Sequence, residues 1–206
     1  MRWLSRMEVD ADTAYSNRIV DNYVWHQKIW DCFPSEPDAK RNFLSRVDEL
    51  EGAFRIWVLS EREPKCPSWC SPACFSLKQI ASSFLSHRRY HFDLRANPTK
   101  RLAEKEDNKK LGKRVPLIRQ EDLTSWIKRK GENGGFRIVD DLPFDIGPMV
   151  QNHFRKNDHR GYHGGVQFRG TLEVIDQRKF EETYKQGIGS AKGFGFGLLL
   201  LAPARF

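Results

Sequence analysis

Tyr23 and His26 stand three residues apart in YVWHQKIWDC, a spacing that puts them on one helix face with Trp30 while Trp25, Ile29 and Cys32 take the other side. One face reads as core and the other as a candidate site. An imidazole with an unperturbed pKa of about 6.5 can move protons at neutral pH. A phenol one turn away can position a hydroxyl, but it is too weak an acid to be the default base. Such a pair suits metal-free scission of RNA. There the 2′-OH attacks its own phosphate, which calls for a base, an acid for the leaving 5′-oxygen and charge stabilisation on the phosphate. A histidine set among aromatics is more commonly a packed side chain, so core and catalyst both stand as readings of His26.

A phosphate ligand is suggested elsewhere in the chain. The run GIGSAKGFGFGLLLLAP, from Gly187 to Pro203, carries five glycines and Lys192 ahead of an apolar strand. Gly187, Gly189, Gly193 and Gly195 leave backbone N–H groups free to face an anion, and the ammonium of Lys192 reinforces them. The same glycines also suit turns and helix ends. The run lacks G-x4-G-K-[ST], and it follows a helix and precedes a strand, the reverse of a dinucleotide fingerprint, which argues against ATP and NAD. Lys and Arg total 35 against 27 Asp and Glu, a net charge of +8 that favours a polyanionic partner. Arg155, Lys156, His159 and Arg160 in HFRKNDHRGYH fall on a turn between two expected strands. Arg95, Asn97, Lys100 and Arg101 in LRANPTKRL, with Lys113 and Arg114 in GKRVPLI, form further basic clusters, and Lys28 sits on the first helix. A solvated face or an internal ion pair is the plain alternative for each.

Other classes find less support. No stretch approaches the roughly 18 apolar residues of a membrane span, and the start MRWLSRMEVD has no leader pattern, so a cytoplasmic protein is expected. Cys66, Cys70 and Cys74 form C-x3-C-x3-C without an evident fourth ligand, so no metal and no cofactor are expected. Asp140, Asp141 and Asp145 come nearest to a carboxylate cluster for a metal-dependent nuclease, yet they read as a strand end and turn. Neither HExxH nor a Ser-His-Asp pattern is present.

Hydrophobic periodicity organises these residues. It predicts a strand over Met1–Val9, a helix over Arg18–Asp31, and a second helix over Asp38–Leu50 from the spacing of Phe43, Leu44, Val47 and Leu50. A strand through Phe54, Ile56 and Val58 and a proline-rich loop from Glu61 to Cys74 follow, then a segment over Phe75–Leu85 that reads equally as helix or strand. The second half opens with a strand near Tyr90 that stops at Asn97-Pro98, then a polar loop from Leu102 to Lys113. A helix from Glu121 closes with Lys128, Arg129 and Lys130 before Gly131. Strands at Phe136–Val139, Met149–Phe154 and Gly165–Val174, a helix capped by Asp176 and running to Gln186, and a buried strand over Phe196–Leu201 complete the chain. Strand, helix, strand, strand, helix, strand is the ferredoxin-like order. The first half fits it less cleanly, and the boundary falls between Leu85 and Arg89, giving domains 1–88 and 89–206.

Taken in order, YVWHQKIWDCFP, LRANPTKRL, GKRVPLI and the glycine run resemble CasE, the CRISPR-associated endoribonuclease family of the type I-E Cascade system, over nearly the whole chain. LRANPTK and the glycine loop with its strand are the most specific matches, whereas the helix with Tyr23 and His26 matches by position. The resemblance implies an α+β protein of tandem ferredoxin-like (RRM-like) domains with antiparallel sheets. It implies a metal-independent endoribonuclease that cuts CRISPR repeat hairpins at their base and leaves a 2′,3′-cyclic phosphate and a 5′-OH. Such an enzyme stays bound to the 3′ hairpin of the mature guide RNA, with the other Cascade subunits as partners and no membrane. In that family the first helix carries a catalytic histidine, with a tyrosine three residues earlier in some members; here these are His26 and Tyr23. A basic hairpin at the position of Arg155, Lys156, His159 and Arg160 enters the groove of the RNA stem, where A-form helix is held by shape and phosphate contacts. The competing reading is a ferredoxin-like module that binds RNA without cutting it, and a cleavage assay separates the two.

Overall fold

The structure, a computed structural model, describes residues 2–19, 21–34, 41–102, 112–156 and 159–204, with the side chains of 152–161 outside that description. Its strands form two larger antiparallel sheets and one small hairpin.

The first sheet holds β1 (Arg2–Asp10), β2 (Phe43–Leu50), β3 (Ala53–Ser60) and β4 (Phe75–Ile80) in the order β2-β3-β1-β4. Between β1 and β2 run α1 (Ala11–Ser16) and α2 (Asn22–Ile29), the latter continued by a 3-10 turn over Trp30–Cys32. The second sheet is built on β5 (Arg89–Ala96), β10 (Val150–Lys156), β11 (His159–Val174) and β12 (Leu199–Pro203), ordered β10-β11-β5-β12. The short strands β8 (Phe136–Ile138) and β9 (Asp145–Ile146) also pair with β11. α3 (Gln120–Asn133) and α4 (Gln177–Gln186) accompany this sheet, and β6 (Thr99–Arg101) pairs with β7 (Arg114–Pro116) as the hairpin. In each sheet the first strand lies between the last and the third, with the second outermost. This is the ferredoxin-like order twice over. The first half looked irregular in sequence because the proline-rich loop after β3 takes the place of its second helix.

Several expectations about elements need correction. The helix expected over Asp38–Leu50 is a strand from Phe43 onward, and residues 35–40 lie outside the described residues. Phe43 joins the core beneath α2 with Met7, Trp25 and Ile56, whereas Leu44 joins the core of the second sheet with Leu94 and Trp126. A strand buried on both faces loses the period-2 alternation, and its apolar residues fall at helical spacing by coincidence. The helix expected over Arg18–Asp31 is α2 alone, beginning at Asn22, with α1 a separate turn upstream. Gly131 does not end α3. The helix continues to a cap at Gly134, and a Cβ at Gly131 would come 2.8 Å from Phe136 O, so the glycine admits β8 against the helix. The final strand starts at Leu199, because Phe196 to Leu198 still belong to the loop. The polar loop expected over 102–113 lies mostly outside the described residues, which omit 103–111.

A buried ion network locks the two sheets together. Arg46 of β2, with a side chain 4% exposed, donates Nε–H to Asp48 at 2.7 Å and Nη1–H to Asp93 of β5 at 2.6 Å. Arg95 of β5 returns the link, donating to Val47 O at 2.7 Å and pairing with Asp48 at 3.0 Å. Among the described residues no helix is long and apolar enough to cross a membrane.

Candidate active site

Asp21 sets where α2 begins, its carboxylate accepting from the N–H groups of Tyr23 at 2.8 Å and Val24 at 2.9 Å. Trp25 and Ile29, four apart, are buried, with Trp25 packed on Phe54 and Trp69 at centroid distances of 5.4 and 5.9 Å. Trp69 is itself held by an Nε1–H bond to Asp31 at 3.0 Å. With that flank anchored, β10 and the 3-10 turn Lys192–Phe194 lie beside α2, bringing the basic hairpin, the glycine loop and the His26 helix to one place.

His26 is half-buried, its ring centroid 5.5 Å from that of Phe43. Nδ1 is buried and meets no hydrogen-bond partner among the described residues, which leaves Nε2 as the nitrogen a substrate can reach. Burial first, then the charge of Arg41, holds the imidazole below its ordinary 6.5. The neutral form, the one able to accept a proton, therefore predominates at pH 7. Tyr23 stands half-buried one turn earlier on the same helix. Lys28 is two residues beyond His26, about 200° round the helix, and so points off the His26 face.

Arg41 is the residue that sequence reasoning missed. It precedes β2 in a stretch read as helix, and its only signal was a basic pair, Lys40-Arg41, ahead of an apolar run. Its guanidinium lies over the glycine loop: a Cβ at Gly193 would stand 2.9 Å from Arg41 Nη1, so a side chain there would displace it. Lys192, next in the loop, donates Nζ–H to Gln186 O at 2.7 Å, and burial with the charges of Arg41 and Lys130 lowers its pKa. Among the described residues no carboxylate acts on His26, Arg41 or Lys192. Arg41 and Lys192 thus put a surplus of positive charge beside the mainly neutral His26, in a cleft where α2, the start of β2 and the glycine loop meet.

The loop that holds them is folded on itself. Gly187 ends α4 at φ +75°, and Ile188 N–H donates to Gly197 O at 2.9 Å while Gly197 N–H donates to Arg95 O at 2.8 Å. Gly197 has φ +86°, and a Cβ there would come 2.6 Å from Ile188 O, so both conformation and space demand glycine. Gly189 rests on the Trp126 ring and Gly195 closes the 3-10 turn.

The remaining sequence candidates divide by location. Asn97, 6% exposed, contacts His163 Nδ1 at 3.3 Å through its side chain and accepts from Ser190 Oγ at 3.3 Å through its carbonyl, tying β5 and β11 to the glycine loop. Arg95 is committed to the ion network between the sheets. These two therefore hold the scaffold in place. Lys100, Arg101, Lys113 and Arg114 are exposed on or beside the β6–β7 hairpin. Arg155 pairs with Arg160 and Lys156 with His159 in the backbone register of the β10–β11 hairpin, beside α2.

A family model described as "CRISPR associated protein" matches residues 2–203. The chain belongs to that family. It is similar to the Cascade subunit CasE of Escherichia coli K12, with 33% identity over 89% of this chain and 92% of that protein. It is also similar to the CRISPR-associated endoribonuclease Cse3 of Thermus thermophilus, with 38% identity over 98% of this chain and 100% of that protein. Among solved structures, Cse3 bound to a 19-nt RNA superimposes with a TM-score of 0.78 at 27% identity, covering 98% of this chain and 100% of that one. The Escherichia coli Cas6e crystal structure gives 0.69 at 26% identity, covering 99% and 100%.

In this family member Cys32, in the 3-10 turn after α2, and Cys70, in the cysteine-rich loop, are buried, whereas Cys74 is exposed. Burial pushes the Cys32 and Cys70 thiols up to about 12, so both stay protonated at neutral pH. Asp140 is engaged by Lys128 at 2.7 Å.

The depressed imidazole has a measurable consequence. The midpoint of His26 protonation lies below the ordinary 6.5, so the acid limb of kcat/KM for RNA cleavage is expected to break below pH 6.5. Arg41→Gln removes the second cause of the depression and leaves burial, so the break should move up yet stay below the ordinary value. A break at or above that value in the wild type would contradict the environment described for His26.

Proposed function

We propose that this protein is a metal-independent endoribonuclease that cuts CRISPR repeat hairpins in precursor transcripts. It then remains on the 3′ hairpin of the guide RNA as a subunit of a Cascade complex, in the cytoplasm. The observation that carries this reading is the meeting of a neutral, half-buried His26 with Arg41 and Lys192 beside a basic hairpin, in a chain related throughout to Cse3 and CasE. The chain is further read as two domains, 1–88 carrying the proton-transfer helix and 89–206 carrying the basic hairpin and glycine loop.

In this mechanism Nε2 of His26 takes the proton of the 2′-OH, whose oxygen bonds to the adjacent phosphorus, while Tyr23 orients the hydroxyl. The P–O5′ bond breaks and the 5′-oxygen takes a proton from solvent to leave as a 5′-OH, while the proton held by His26 returns to solvent, so the upstream strand ends in a 2′,3′-cyclic phosphate. Charge building on the phosphate oxygens is met by Arg41 and Lys192, held by the fold before the reaction and far more effective there than in water. Arg155, Lys156, His159 and Arg160 grip the stem.

Two measurements on repeat RNA test the chemistry together. Cleavage should proceed unchanged in excess EDTA, and an RNA with 2′-deoxyribose just upstream of the cut should bind normally and stay intact. Activity lost to the chelator and restored by a divalent ion, or scission of the deoxy substrate, would exclude this route.

A further inference from the structure

Beside Gly189 and Ser190 of the glycine loop, away from the Gly193 position that meets Arg41, lies a basic concavity of about 240 Å³. Lys100 and Arg101 come to it from β6, Arg114 from β7, and Arg129 and Lys130 from the last turns of α3, with Ser190 of the glycine loop at its rim. Among the described residues none of these five cations has an ion-pair partner, although Lys128, one residue earlier on α3, is paired with Asp140. Three separate segments converge to put five positive charges around one small space, at a cost in mutual repulsion that a bound anion would relieve.

The lining says what kind of anion fits. Trp126 forms part of the wall, but it is only 3% exposed and packs on Phe168 at 5.8 Å, so its ring is no stacking platform for a base. The pocket offers charge and hydrogen bonding without an aromatic slot, and its size admits a strand of backbone, not a duplex. It is also joined to the cleft. Lys192 lies within the fields of both Arg41 and Lys130, the latter a lining residue of the pocket. Ser190 is tied through Asn97 to His163, which sits in β11, the strand that forms half of the basic hairpin. Lys192 thus couples the charge of Arg41, beside His26, to that of Lys130 in the pocket.

We propose that this pocket binds phosphates of the single-stranded RNA flanking the hairpin, a second point of grip besides the His26 site. The inference rests on the reading of the protein as a hairpin endoribonuclease. The single strand has two sources, the segment 5′ of the stem and the segment 3′ of the cut, and both carry the same phosphodiester chemistry.

The test compares three RNAs, the bare hairpin, the hairpin with a 3′ extension and the hairpin with a 5′ extension, each with 2′-deoxyribose upstream of the cut. Affinities are measured across a salt series for the wild type and for Arg114→Ala/Arg129→Ala/Lys130→Ala, with Arg129→Glu alone as a variant that disturbs the fold less. The wild type should bind one extended RNA more tightly than the bare hairpin, and the extension that gains identifies the strand. Both variants should lose that gain while leaving bare-hairpin affinity unchanged. In the triple variant the slope of log K against log salt should also fall by about 0.7 for each single-strand phosphate no longer held. Hairpin binding with no gain from either extension, or variants that weaken the bare hairpin equally, would overturn the pocket assignment alone, the latter pointing to a role at the stem. Failure of the wild type to bind the hairpin at all would overturn the endoribonuclease reading along with it.

Discussion

His26→Ala is expected to slow single-turnover cleavage of repeat RNA by at least about 100-fold and by up to about 10,000-fold, the usual worth of a positioned proton-transfer group. Affinity should be spared. Proton transfer acts in the transition state, whereas ground-state grip is spread over many basic residues, so the rate falls and the dissociation constant stays. The fold should also tolerate the change, because Nδ1 makes no hydrogen bond among the described residues and its loss strands no partner. Tyr23→Phe should cost less, since it deletes one positioning hydroxyl and leaves the ring in place. A near wild-type rate in a folded His26→Ala protein, or a binding loss as large as the rate loss, would make His26 a packing residue and return the reading to an RNA-binding module.

Arg46→Ala should have the largest effect on stability. Its side chain is 4% exposed and bridges Asp48 and Asp93, one from each sheet, at 2.7 and 2.6 Å. Removing one partner of a buried pair leaves an uncompensated buried charge and typically costs about 3–5 kcal/mol. The lower end is expected here, because Asp48 keeps Arg95 at 3.0 Å and Asp93 keeps Arg169 at 3.2 Å. Urea unfolding followed by fluorescence would read the loss as a lower midpoint. Adding Asp93→Ala to Arg46→Ala should cost less than the sum of the singles, since each single already removes the same Arg46–Asp93 contact. A loss under about 1 kcal/mol would mean that the network is solvated in solution.

Much of the fold was legible because it is written locally. The β5, α4 and β3 segments announced themselves through alternation, an Asp176 cap whose carboxylate accepts from Lys179 N–H at 3.1 Å, and breakers such as Asn97-Pro98. β2 was not legible, because burial on both faces erases the alternation that marks a strand, and only the packing of one sheet on the other creates that burial.

The candidate site divides along the same line. The chain by itself determined that a histidine and a tyrosine share a helix face, that a glycine-rich segment links α4 to the last strand, and that basic residues cluster in three further segments, since these follow from residue type and spacing. Only the tertiary structure decided which of those residues meet. It set Arg41 against Gly193 and next to His26, gathered Arg129 and Lys130 with Lys100 and Arg114, and drew Arg95 and Asn97 inward as braces. Side-chain charge is encoded residue by residue. Whether that charge faces a ligand or an internal partner depends on contacts between residues tens of positions apart, which form only when the two sheets pack.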